Sequence, residues 1–151
     1  MTRRGRVIVF GWFAMLFAML AAWPACSPAE TDNPDVTFAK AAFFSMVNGS
    51  SDAEAMIDWE NFRALGDDVG KGYRKLPNEA EKAKARKEFI AGFALSTPNM
   101  KANPDGITNW RVYTETPSET IISAKMKAGP VLYLTVSKRG GSQKLSALRI
   151  E

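Results

Sequence analysis

The chain has no histidine and a single cysteine, Cys26, and the candidates for chemistry that stand out in it are carboxylates beside aromatic residues and the aromatic residues themselves. Without histidine, a Ser-His-Asp triad, a Cys-His pair and a histidine-bearing zinc site are excluded within these 151 residues. No ligand spacing points to a metal and no motif points to a cofactor. A carboxylate can still serve as a general base when burial raises its pKa. Those beside aromatic residues are Asp58 next to Trp59, the Asp67-Asp68 pair, and Glu115 near Tyr113. Each has a plainer reading: a helix cap for Asp58, a solvated turn after Gly66 for the pair, an outward strand position for Glu115. No catalytic residue is assigned on this basis. A binding wall is the better-supported chemistry, because small-molecule sites are lined by apolar and aromatic side chains. Trp59, Phe62, Tyr73 and Trp110 are the candidate lining residues. Trp110 is preferred over Tyr113 because the two alternate to opposite faces of one strand, and Trp110 shares its face with Val112. Packing in the core is the competing explanation for all of these rings.

The N-terminus reads as an export address. Arg3, Arg4 and Arg6 precede a charge-free apolar run over residues 7–22, the pattern of a signal segment whose basic end stays at the cytoplasmic face. Residues 1–25 are expected to be this segment and residues 26–35 a Pro-containing acidic tether. Cys26 stands where a bacterial lipoprotein signal places its acylated residue. The context resembles such a signal with Trp23 and Pro24 in the places of its usual Leu and small residue. Cleavage before Glu30 to a soluble product and an uncleaved anchor are the alternatives. The expected location is therefore extracytoplasmic, in the periplasm or cell envelope, held to a membrane by lipid or signal segment. The formal charge of +4 belongs largely to that segment. Without its three arginines the balance is 17 basic against 16 acidic residues, which is no nucleic-acid footprint. The short basic clusters Lys71–Lys75, Lys82–Lys87 and Lys138-Arg139 read as solvated faces and turns.

Residues 36–151 are expected to form one α+β domain that holds itself together by burial, since one cysteine makes no internal disulfide. A first helix begins near Asp35 as its N-cap and stops before Asn48-Gly49, with Phe38, Ala39, Ala42, Phe43, Met46 and Val47 on its apolar face. Ser51 and Glu54 have the spacing of a capping box for a second helix from Asp52 to about Ile57, with a possible continuation to Leu65. Gly66, Gly70 and Gly72 allow at most a loose helical turn before Pro77. A third helix runs from Asn78 to about Leu95, its Gly92 a candidate for close packing. Four strands follow, 107–115, 119–127, 131–138 and 144–151, joined by short turns that imply antiparallel hairpins. Leu132, Leu134 and Val136 point to one face; Val131, Tyr133 and Thr135 point to the other.

The order of these elements resembles small nuclear transport factor 2-like domains. The residues that carry the likeness are NPDVTFAKAAFFSMVNG, then SDAEAMIDW, then the late strand, Gly turn and final strand VLYLTVSKRGGSQKLSALRIE. The resemblance implies a curved, mainly antiparallel four-stranded sheet wrapped around helices as a cone with an internal pocket. A fainter likeness to periplasmic phospholipid-carrier subunits rests on Phe62–Gly66 and Lys84–Phe89. The expected function is non-catalytic: a lipid-anchored module binding an apolar small molecule or an envelope protein partner. A lipid carrier is the first alternative. A cone-fold isomerase or dehydratase using a buried carboxylate is the second.

Overall fold

In the computed structural model of the chain, residues 33–151 are described. The expected signal segment, Cys26 and most of the tether lie outside them. The first helix, α1 (Pro34–Asn48), starts two residues earlier than Asp35 would allow as a cap. Asn33 is the N-cap; its side chain accepts from the amides of Asp35 at 2.8 Å and Val36 at 3.4 Å. Pro34 takes the first helical position, where its missing N–H costs nothing. Asp35 is thereby moved inside the first turn and buried. Gly49, at φ 70°, closes the helix in the left-handed conformation that glycine adopts without strain.

The second helix, α2 (Asp52–Met56), is short and does not continue to Leu65. Ile57 is extended and bridges to Leu145, and Trp59 folds back so that its indole N–H donates to the Glu54 carbonyl at 2.8 Å. The segment then contributes a two-residue strand, β1 (Arg63–Ala64), running parallel to the final strand. The sheet therefore has five strands and is mixed, not a four-stranded antiparallel one. A continued helix loses here to the sheet edge, which supplies backbone partners on both sides of Phe62: Asp58 N–H to Leu145, and Leu65 N–H to Leu148. The loose turn before Pro77 is the five-residue helix α3 (Val69–Tyr73), capped by Asp68 through the Lys71 amide. Within it Gly70 is required, because a Cβ there would lie 2.4 Å from the Glu60 carbonyl oxygen.

The long helix α4 (Glu79–Ser96) lies close to the expected bounds, with Asn78 as its N-cap, and buries Ile90 and Phe93. Gly92 faces open space, so the close packing expected of it does not occur. A further short helix, α5 (Pro98–Ala102), leads to β2 (Ile107–Glu115), β3 (Glu119–Met126), β4 (Val131–Ser137) and β5 (Lys144–Ile150), close to the expected bounds. Strand order is β1-β5-β4-β3-β2, antiparallel except for β1. Leu132, Leu134 and Val136 face the helices with Ile122 and Ala124, packed against Phe43, Met46 and Val47. Two pairs of inward residues are spaced by three, not two: Ile107 with Trp110, and Leu145 with Leu148. Register shifts absorb the extra residue, with Asn109 at φ 55° in the first case.

Candidate ligand-binding grooves

The aromatic candidates divide between two places. Trp59, Phe62 and Tyr73 form one cluster with Phe89, all ring centroids in contact lying 5.6–6.1 Å apart. Trp110 sits elsewhere, against Phe43 and Phe44 at 6.2 and 6.1 Å, and donates its indole N–H to the Ile107 carbonyl. Phe93 links the two clusters by touching Phe43 and stacking on Phe89. All four expected lining residues are buried, Phe62 completely, so packing is a real part of what each of them does. Three still present an edge to a surface groove. Tyr113 is exposed on the opposite sheet face, as alternation demands.

The first groove lies between α3 and α4 and has a volume of about 310 Å³. Trp59, Tyr73 and Phe89 form its aromatic wall, and Val69, Leu76 and Ala85 complete it around Gly72. A Cβ on Gly72 would meet nothing within 4 Å, so the lip is open because that residue has no side chain. Charged side chains lie beside the tyrosine of that wall. Arg86 donates to the Tyr73 hydroxyl at 2.5 Å, and Lys82 Nζ lies 5.3 Å from the centroid of the Tyr73 ring. Arg86 is itself tied to Glu79 at 2.8 Å and Glu54 at 3.3 Å. The bond to Glu79, supported by those to Tyr73 and Glu54, holds its guanidinium above its already high pKa against the opposing effect of burial. A cluster read in the sequence as solvated thus contributes the ion that fixes α4 to α2 and α3.

The second groove, about 540 Å³, runs along the edge strand β2 beside α1. Trp110, Ile107 and Val36 make its apolar floor, and Lys40, Asp105, Thr37 and Thr108 make its rim. Lys40 Nζ stands 5.9 Å from the Trp110 ring centroid. The first groove is the more apolar of the two.

The carboxylates singled out in the sequence sit at the surface in structural roles. Asp58 accepts from the Asn61 side chain at 3.1 Å; Asp67 and Asp68 are exposed, the latter capping α3; Glu115 is exposed and pairs with Lys138 at 2.9 Å. Among the described residues the buried carboxylate is Asp35. It accepts from Thr120 Oγ1 at 2.6 Å and Gln143 Nε2 at 2.6 Å, and Lys138 Nζ lies 2.8 Å away. Burial pushes its pKa up, but the bonds from Lys138, Thr120 and Gln143 together with the Lys138 charge outweigh that and hold it below the usual carboxylate value. A carboxylate so held is a tie and a poor base. The signal for it was the triplet Asn33-Pro34-Asp35: proline at the first helical position makes the preceding Asn the cap and turns Asp35 inward. Among the described residues no cluster of three His, Cys, Asp or Glu side chains is placed to hold a metal ion, and no helix is long and apolar enough to cross a membrane. No protein-family model, curated protein or solved structure matches the chain.

Proposed function

We propose that this protein is a non-catalytic binding module of the cell envelope, held to a membrane through its N-terminal segment, and that the α3–α4 groove takes an apolar group of a small amphiphile. The observation that carries the reading is the wall of Trp59, Tyr73, Phe89, Val69 and Leu76 around an open Gly72 lip. Its volume of about 310 Å³ is at the lower end of the range for ligand sites, roughly 300–1,000 Å³. Lys82, beside the Tyr73 ring and without an ion-pair partner among the described residues, suits a ligand whose polar end is anionic. Tethering rests on the three arginines and the apolar run over residues 7–22, with Cys26 as the residue to be acylated. A cone-like, nuclear transport factor 2-like arrangement belongs to the same proposal. The helices-then-strands order and the bulges that bend β2 and β5 favour it.

The test fills the groove without touching the core. Gly72 has ordinary helical backbone and space above it, so Gly72→Trp places an indole over the lip. Binding of cis-parinaric acid, followed by its fluorescence and by displacement with palmitate, is expected for the native chain. The variant should lose at least about tenfold in affinity while its melting temperature stays unchanged. Trp110→Phe, in the other groove, should bind as the native chain does. Equal binding by native and Gly72→Trp proteins would remove the α3–α4 groove from the proposal.

A further inference from the structure

The face of the sheet turned away from the helices is basic and rich in tyrosine. Its composition follows from the strand register. One row across the sheet reads Arg63, Ala147, Thr135, Ile121, Thr114; the next reads Arg149, Tyr133, Ser123, Arg111. Lys125, paired with Thr108, lies in the row after that. Tyr113 packs edge-on against Tyr133 at 5.3 Å and is 58 % exposed. Arg149 stacks on the Tyr133 ring at 4.6 Å and pairs with Glu151 at 3.3 Å. Among the described residues Arg63, Arg111 and Lys125 have no ion-pair partner. Between Arg63 and Arg149 the face is hollowed, with Tyr133, Thr135, Ile121 and Ala147 on the floor, to a volume of about 390 Å³.

We infer that this face lies against anionic lipid headgroups of the membrane that holds the chain. The inference rests on the proposed tethering, and three observations select lipid as the occupant. First, the face carries four cations against one paired acid, Glu151, in these rows. Each Lys or Arg near an anionic bilayer surface raises partitioning about fivefold. Second, its aromatic residues are tyrosines, Tyr113 and Tyr133, whose hydroxyl-bearing rings settle at headgroup depth. Third, the tether reaches. The chain enters the fold at Asn33, and Asp35 is fixed to Thr120 on β3. Ser123 in the Arg149–Arg111 row is three residues further along β3, roughly 10 Å. The seven residues 26–32 can span up to roughly 25 Å, enough to pass from the helical side around the sheet and lay this face down beside the anchor. An anchored domain meets the bilayer at high effective concentration, which turns a weak patch into a stable orientation.

The experiment uses the full chain in lipid nanodiscs of phosphatidylcholine, alone or mixed with phosphatidylglycerol. Nitration of Tyr113 and acetylation of Lys125 are read by mass spectrometry, with Lys87 and Lys101 on the helical side as internal references. In anionic discs Tyr113 and Lys125 should lose about fivefold in reactivity while the references do not change. Arg111→Glu with Arg149→Glu should restore it at an unchanged melting temperature; if that pair disturbs the sheet, Arg63→Gln with Lys125→Gln is the milder form, read at Tyr113. Equal reactivity in both lipids overturns the inference and leaves the face to an acidic protein, as does protection of Lys87 and Lys101 instead. A chain that does not enter discs at all refutes the tethering. Flotation of that chain with phosphatidylglycerol vesicles then decides the face separately, since loss of flotation in the charge-reversed variant still supports it and absence of flotation overturns it.

Discussion

Asp35 and Arg86 both fix a helix to the rest of the domain through charge, one on α1 and the other on α4. Asp35 is 3 % exposed and gathers Thr120 from β3, Lys138 after β4, and Gln143 before β5 around one carboxylate. Arg86 gathers Glu54 from α2, Glu79 from its own helix, and Tyr73 from α3, but its side chain is 19 % exposed and that of Glu79 is 73 %. The chemistry is similar and the burial is not. Water can replace the partners of Arg86 and cannot easily reach those of Asp35, so the same kind of contact has a different weight in each place.

Removing the carboxylate in Asp35→Ala should therefore have the largest effect. It leaves the Thr120 hydroxyl and the Gln143 amide without their acceptor and is expected to cost about 3 kcal/mol, measured by urea unfolding. A cost near zero would mean that this end of α1 is held by the packing of Val36 and Ala39 alone. The pH dependence sharpens the contrast. Asp35 has a folded pKa below its unfolded one, so its contribution is present above the ordinary carboxylate value near 4 and is lost as pH falls through the folded value. Asp35→Asn should flatten that acid limb in a series of melting curves. Arg86 stays charged throughout this range and contributes no such limb of its own. Next in size is Arg86→Met, expected to cost about 1–2 kcal/mol, with the Tyr73 hydroxyl and the half-buried Glu54 losing a donor. Glu79→Gln comes last, at no more than about 0.5 kcal/mol, because an exposed pair is screened by water. If Glu79→Gln costs as much as Arg86→Met, the contrast in burial between the two ties is not what sets their strength.

Much of the fold was legible in order and type. The N-cap Asn78, the αL glycine at Gly49 and the Gly/Pro turns between strands mark their boundaries locally, and the inward set Leu132, Leu134, Val136 follows from alternation alone. The site was less legible. Trp59, Phe62 and Tyr73 were recognisable as apolar wall, but nothing in their spacing separates them from Trp110, which joined a different cluster. The short strand at Arg63–Ala64 was hidden because a two-residue strand has no period to detect. Gly70 and Gly72 read alike in the chain, yet one is pressed against the Glu60 carbonyl and the other opens a groove.

Sequence by itself determined the absence of histidine chemistry, the class and order of the elements, and the face each central strand buries. These depend on composition, caps and periodicity, which are properties of neighbours along the chain. Tertiary structure decided which carboxylate is buried, which lysine and arginine are bound, which glycine forms a lip, and that the outer sheet face gathers its arginines and tyrosines into adjoining rows. Those outcomes depend on residues brought together from distant positions, Asp35 with Gln143 and Arg63 with Arg149 among them. Local pattern carries no record of such pairs, because the energy that selects them comes from packing and desolvation in the assembled domain.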